Sequence, residues 1–360
     1  MKSSLSDLIS GIRQLDAFLS NTERQAELIA LLNARPEQLP HSEAQLVGEV
    51  VASATSSRQY VYMVAIVALY GLLERYAISA INDYVMEVSR ISGTYERLPE
   101  RIRANHLQAS LRLTEGILKD RFRTDTTWEQ VISNLNSCLP GSGAFKLNSS
   151  AYSFHRGNIT LARLGEMLGG IGVALHPRRV VNTLSYSAYL EQLFPERDIS
   201  GLSDHELGPL IDSLDDLVER RNSVSHGVLQ VDSIESVDLL RERCKFLTAF
   251  GQSLYEIMTD ELLRYEVERG AAVRLGRPIA VFSSGAMGIR LTGSISIGDR
   301  VFALGKGGFD APAFGKILSL QIQGNPLEHV DADTPIDVGV MTDFKPFRGR
   351  VYYRSSSEVW

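Results

Sequence analysis

The sequence predicts a multidomain chain of α and β: an all-α helical bundle over residues 1–269, then a small all-β barrel over residues 270–360. Three observations predict it. Apolar residues recur at helical spacing from the start to about residue 268. Past Gly270 the pattern changes to short apolar runs punctuated by Gly and Pro, in which no useful helical period survives. The charge balance also changes there, since residues 270–360 carry 10 Lys+Arg against 8 Asp+Glu in a chain of net charge -6. At 360 residues, two domains of about 150 residues are the natural count. A composition 44% hydrophobic and 22% charged builds a folded core and excludes disorder.

The first element is a helical extension of about residues 1–40. Its opening residues Met1 to Ser4 lead into an amphipathic segment with Asp7, Arg13 and Asp16, not into the apolar centre of a secretory signal. The expected location is therefore cytoplasmic. Residues 43–91 read as one long helix or two, with Ser53 to Ser57 the weak point and Gly93 the stop. Within it, Tyr60 to Leu73 is nearly uncharged and ends at Glu74 and Arg75. It falls short of the roughly 18 residues that span a bilayer, so it reads as a buried core helix and no membrane is expected.

Residues 121–158, rich in Ser and Asn around Pro140, Gly141 and Gly143, read as an irregular insertion that shapes the site or is only a loop. The cluster from Gly165 to Gly172 follows a helical run and reads as its stop and turn. Ser203-Asp-His-Glu206 is a capping box, and Leu207, Leu210, Ile211, Leu214, Leu217 and Val218 continue it as one amphipathic helix. Asp232-Ser-Ile-Glu235 offers a second start signal, followed by Val237, Leu240, Cys244, Leu247, Leu254 and Ile257 on another long helix. The two form a hairpin with Gly227 to Val231 in the turn.

Strands are expected at 279–282, 288–291, 294–297, 300–304, 316–322, 335–340 and 350–354. Cys138 and Cys244 stand far apart with no second thiol nearby, so neither a disulfide framework nor a zinc site is expected. Gly298 to Lys306 and Gly308 to Lys316 have two residues too many for a phosphate-binding P-loop, and neither lysine precedes Ser or Thr. No cofactor and no metal are expected. The acidic balance argues against a broad nucleic-acid-coating surface and leaves room for a local basic patch.

The most informative stretch is Leu217-Val-Glu-Arg-Arg-Asn-Ser-Val-Ser-His-Gly227. Arg221 and His226 are five positions apart, about 140° around an ideal helix, and do not share a face. Gly227 allows the helix to close there in left-handed geometry, which releases His226 from the helical direction. An imidazole exchanges protons near neutral pH, and a guanidinium holds a phosphate and offsets charge building on it. Together they suit metal-free RNA cleavage, in which a ribose 2'-OH attacks its own phosphate and leaves a cyclic phosphate and a 5'-OH end, with His226 as acid or base. Spacing alone does not single them out, because Arg101-Ile-Arg-Ala-Asn-His106 repeats it. Asn222 after the arginine, Gly227 after the histidine and an amphipathic helix leading in are what distinguish the second site.

Here the sequence resembles the HEPN superfamily, whose ribonuclease members have Arg, a polar residue often Asn, three variable residues and His. This chain matches at Arg221, Asn222 and His226. The likeness covers about residues 60–265 and is specific only over 217–227. It implies a helical bundle that forms a homodimer, so that two copies of the motif face one cleft. Some HEPN toxins have a tyrosine two residues after the histidine, where a partner enzyme modifies them; this chain has Val228, and that control is not expected. The resemblance also points to Glu74, where related domains carry an acidic residue on a core helix. Glu74 is either an orienting group for Arg221 or His226 or an ordinary charge at a helix end. Arg220 reads as solvated or RNA-facing.

The C-terminal part resembles the β-barrel that follows the GTPase domain in elongation factor Tu and its relatives, on Gly293-Ser-Ile-Ser-Ile-Gly-Asp-Arg-Val301, Lys316 to Ile322, Val330 to Ala332 and Val338 to Val340. That likeness implies a fold and no activity. Lys345, Arg348, Arg350 and Arg354 give the end of the chain a basic edge, read either as a phosphate contact or as a solvated edge or dimer contact. The expected function is an endoribonuclease with tRNA as its first candidate substrate, acting as a toxin or antiviral defence effector, with an antitoxin or the translation machinery as partner. The alternative is a non-catalytic dimerisation and RNA- or protein-binding module that reads its target through the barrel.

Overall fold

The computed structural model describes residues 1–119, 126–139, 144–196, 201–227, 234–283, 285–305 and 312–360. Helices fill the chain as far as residue 268 and strands follow from residue 273. The centre of the helical part is α3 (Ala54–Ser92), whose buried residues include Tyr62, Ile66, Leu69, Tyr70, Leu73, Tyr76, Ile81 and Val85. By length and composition it could cross a membrane; half of its most apolar window is buried against the rest of the protein, which makes it a core helix. It packs against both α1 (Lys2–Asn33) and α12 (Val237–Glu268), which also pack on each other. Ser53 separates it from α2 (His41–Ala52), and Gly93, at φ 70°, stops it, so residues 43–91 are two helices.

The first five turns of α1 are not an appendage. Leu8, Ile12, Leu15 and Leu19 lie on one face, at most 7% exposed, and enter the main core. Leu8 touches Gly251 of α12, where a Cβ would come within 2.3 Å of its methyl group. α4 (Glu100–Leu118) and the short α5 (Trp128–Ser137) and α6 (Ser149–Ser153) follow, the last two inside the stretch expected to be irregular. Thr127 and Gln130 form a reciprocal capping box that starts α5. α7 (Leu161–Gly170), α8 (Pro177–Val181) and α9 (Leu184–Leu193) complete that side, with Gly172 left-handed just past α7.

The single helix expected from Ser203 onward is broken. The Ser203/Glu206 capping box is formed, but α10 (Asp204–Leu207) lasts one turn, a 3-10 turn covers Gly208–Leu210, and α11 (Ser213–Ser225) starts again. Pro209 explains the break, because it has no N–H to donate and its ring crowds the carbonyl four residues back. The second start signal is also displaced: α12 is capped by Ser236, whose hydroxyl accepts from the Leu239 N–H. Asp232, Ser233 and Val228 lie outside the described residues.

The C-terminal residues form an antiparallel sheet in the order β1 (Val273–Gly276), β8 (Tyr352–Arg354), β4 (Arg300–Ala303), β5 (Ala313–Ile322), β7 (His329–Thr342), β3 (Ala286–Ser296) and β2 (Pro278–Val281), with β6 (Asn325–Leu327) beside β5. The sheet curls into a nearly closed barrel whose open seam lies between β1 and β2, which a single residue joins. Two expected strands are one: β3 runs through Gly293, at φ 100°, where its register against β7 shifts between Leu291 and Gly293. β1 and β6 had no separate sequence signal. Leu275, Met287, Ile289, Leu291, Val338 and Val340 are among the residues that fill the barrel. Phe302 and Trp360 belong to the helical core, which joins barrel and bundle.

Candidate nucleic-acid cleavage site

α11 carries the Arg221 motif to the surface and ends as its glycine requires. His226 is the C-cap at φ -92°, ψ 0°, its N–H bonded to the Asn222 carbonyl, and Gly227 turns left-handed at φ 68°. His226 is exposed, and among the described residues no side chain bonds its ring. Arg221 is half-buried, and its guanidinium sits 5.2 Å from the centre of the Tyr70 ring, a cation–π contact. Its Nη1 also donates to Asn222 Oδ1 at 3.4 Å. Among the described residues Arg221 and His226 share no hydrogen bond, in keeping with their separation of about 140° around an ideal helix.

Tyr70 and Glu74 are one turn apart on α3 and face Arg221 together. The buried Tyr70 hydroxyl donates to Glu74 Oε1 at 3.1 Å and accepts from the Ile159 N–H at 2.9 Å. Burial pushes the Tyr70 hydroxyl up to about 12, so it remains a donor. The same Glu74 oxygen lies 3.2 Å from His155 Nε2, and Asn158 Nδ2 donates to Asn222 Oδ1 at 2.6 Å. The bond to His155 is the main reason that the Glu74 carboxyl is held below its usual range, with the Tyr70 bond and the Arg221 charge adding to it. The resulting cluster is Tyr70, Glu74, His155, Asn158, Arg221 and Asn222; His226 is the exposed residue at the end of the same helix as Arg221.

Sequence reasoning placed Glu74, Arg221, Asn222 and His226 at the site and missed Tyr70, His155 and Asn158. No local signal in the sequence marks those three. Arg220 points elsewhere: it bonds Asp216 at 3.0 Å and the Tyr62 hydroxyl at 3.1 Å, and pairs with Glu235 at 3.3 Å. Its charge is already matched within the chain. His106 of the rival Arg101 spacing is fully buried, accepts from the Asn148 N–H at 3.1 Å, and is pushed down to about 4 by burial. It is a packing residue.

On the barrel, Lys345 and Arg348 are exposed, and Arg350 stacks over the Phe347 ring at 4.1 Å. Arg354 is committed to Ser294 and Asp299 inside the barrel. Lys345 and Phe347 border a cavity of about 360 Å³ between barrel and bundle, shared with Tyr255, Glu256, Phe314 and Phe344. None of the contacts given for these basic residues is with the Arg221 cluster.

Residues 21–260 match the family described as RiboL-PSP-HEPN. The chain belongs to the RiboL-PSP-HEPN family. HEPN domains are commonly nucleases, which fits an RNase-like or RNA-binding activity for this one. No curated protein matches the chain. Among solved structures, the C-terminal domain of a Geobacillus thermoleovorans putative U32 peptidase aligns over 24% of this chain and 91% of its own, with 16% identity and a TM-score of 0.19. A likeness that weak carries no argument about the HEPN chain or its barrel.

Proposed function

We propose that this HEPN chain is a metal-independent endoribonuclease that works as a homodimer. The observation that carries the reading is the end of α11: Arg221 is held on Tyr70 beside Asn222, and His226 stands exposed where Gly227 closes the helix. In the proposed reaction an imidazole takes the proton of a ribose 2'-OH, the oxygen attacks the adjacent phosphorus, and the P–O5' bond breaks. An imidazolium returns a proton to the departing 5'-oxygen, leaving a cyclic phosphate and a 5'-OH end. Arg221 offsets the charge that builds on the phosphoryl oxygens.

A second copy solves the geometric problem, because one chain's Arg221 can act with the other's His226. The surface offers a place for it. Tyr60, Val64 and Val67 are 67%, 53% and 47% exposed and continue along one stripe of α3 through Gly71 to Glu74. Nothing lies within 4 Å of where a Gly71 Cβ would be, so another helix can approach closely there. An exposed apolar stripe that runs into the site is an interaction surface, and a second copy seated on it brings its own motif to the same cleft.

The substrate class is RNA, with tRNA the first to try, and cutting it would suit a toxin or antiviral defence effector. The barrel, with Lys345, Arg348 and Arg350, would select the target. The test is incubation of purified protein with total RNA in EDTA, comparing wild type, Arg221→Ala and His226→Ala. Cleavage to cyclic phosphate ends, abolished by either substitution and partly restored in mixed dimers of the two variants, is expected. Intact RNA over a wide range of pH and salt overturns the nuclease reading and favours a non-catalytic binding module.

A further inference from the structure

We propose that His155 is a positioning residue of this site: wedged between the Glu74 carboxylate and the Ser153 carbonyl, it clamps residues 155–159 onto α3 and thereby sets Asn222 and Arg221. The inference rests on the reading of Arg221 as the phosphate-binding group, and it adds a residue from outside the Arg-Asn-x3-His motif.

The geometry argues it. His155 Nε2 is 3.2 Å from Glu74 Oε1 and Nδ1 is 3.0 Å from the Ser153 carbonyl oxygen. A carbonyl and an ionised carboxylate only accept, and neutral imidazole has a single N–H. Both contacts are hydrogen bonds only when the ring is doubly protonated. The ring is 8% exposed, so water does not readily replace a lost partner.

The clamp closes through the same carboxylate oxygen. Glu74 Oε1 also accepts from Tyr70, whose hydroxyl takes the Ile159 N–H. Both ends of the 155–159 segment are thus tied to Glu74, one directly and one through Tyr70. Between them Asn158 reaches Asn222 at 2.6 Å, and Tyr70 supplies the face on which Arg221 rests. His155 acts on Arg221 only through these neighbours and has no nitrogen left for substrate.

The charged groups that act on the ring are Glu74 from α3 and Arg163 from α7; the neutral Tyr70 and the Arg221 guanidinium act on Glu74. The bond to Glu74 raises His155 above the ordinary histidine value against burial and Arg163, which oppose it. The two contacts that only a doubly protonated ring can donate and the raised value point the same way: the clamp holds in the charged form and loosens as pH rises through that value.

The experiment has two arms, both on the full chain. In the first, the ¹⁵N resonances of the His155 ring, the Arg221 Nε–H and the Asn222 side-chain amide are followed from pH 5 to 9. His155 should titrate above free histidine, Glu74→Gln should bring it down, and the Arg221 and Asn222 signals should follow the same transition. If they do not follow it, the proposal is overturned whether or not the protein cuts RNA. In the second, His155→Ala should lower kcat by at least about tenfold with little change in KM, a size typical of lost positioning. His155→Gln, which keeps a donor for Glu74, should recover much of the loss and flatten the alkaline limb. Wild-type kcat and pH profile in His155→Ala would also overturn it; no cleavage by any form strikes the nuclease reading alone and leaves the first arm to decide.

Discussion

Asn158 and Asn222, 64 residues apart, meet side chain to side chain at 2.6 Å and join the end of the supposed insertion to the motif helix. Asn222 Oδ1 also receives Arg221, so one oxygen organises both the loop and the guanidinium. Removing either amide leaves the other half-satisfied at a part-buried position. A double-mutant cycle of Asn158→Ala and Asn222→Ala, read by denaturant unfolding, should give a coupling of about 0.5–1.5 kcal/mol, the net worth of one hydrogen bond. Strict additivity would mean that the two residues do not support each other.

Stability should show an acid limb and an alkaline limb to which two histidines contribute in opposite directions. His106 is neutral and buried; the unfolded chain takes a proton near about 6.5, while the folded one resists until about 4. Stability therefore falls as pH drops through that interval, by up to about 1.4 kcal/mol per unit. His155 is raised by Glu74, so its contribution is complete below about 6.5 and is lost as pH rises through its folded value. Glu74, held low, adds stability that disappears only at more acid pH, as its carboxylate takes a proton. Urea midpoints from pH 4 to 9 should show both limbs; His106→Leu should flatten the acid one and His155→Gln the alkaline one. An acid limb that persists in His106→Leu would remove His106 as its source.

The helical-then-strand architecture was legible because periods of 3.6 and 2 are local properties of the sequence, and Arg221, Asn222 and His226 were legible because they are close in sequence. Gly227 did what a glycine after a helix does. The single helix expected from residue 204 ignored Pro209, whose missing N–H was visible in the sequence and was outweighed by apolar spacing on both sides. Tyr70, His155 and Asn158 were not legible, since their partners lie 64 to 89 residues away and nothing local marks such pairs. Arg220 differs: its acidic partners Asp216 and Glu235 stand four and 15 positions away, and only the fold selects them among the nearby charges.

The first helix can be shown to be part of the core by a contact too tight for one methyl group. A Cβ on Gly251 would lie 2.3 Å from Leu8 Cδ2 and 3.7 Å from the Tyr76 ring. Gly251→Ala should destabilise the chain by about 1–3 kcal/mol, the usual result of overpacking. Leu8→Ala, which opens a cavity at a residue 2% exposed, should cost about 2–5 kcal/mol. The double variant should recover part of the sum, because each change makes room for the other. Wild-type stability in Gly251→Ala would mean that α1 does not press on α12.

Trp360 offers a test of how the barrel is held to the bundle. Its ring meets Phe302 at 6.4 Å and Phe314 at 5.5 Å, both edge-on, with Arg300 over it at 5.8 Å. Phe314 in turn meets Tyr255 of α12 at 6.0 Å, which makes a chain of rings from barrel to helix. The indole is 3% exposed, yet its N–H has no hydrogen-bond partner among the described residues. Its value is therefore area and shape, not polarity. Trp360→Ala should cost about 3–5 kcal/mol, and Trp360→Phe, which gives up only volume and an unsatisfied donor, should cost less than about 1.5 kcal/mol. Calorimetry should also show the alanine variant splitting the unfolding transition as the barrel loses its hold on α12. If the phenylalanine variant were as damaging as the alanine one, the indole N–H would have to be bonded, and the ring chain would not be what fastens the two parts.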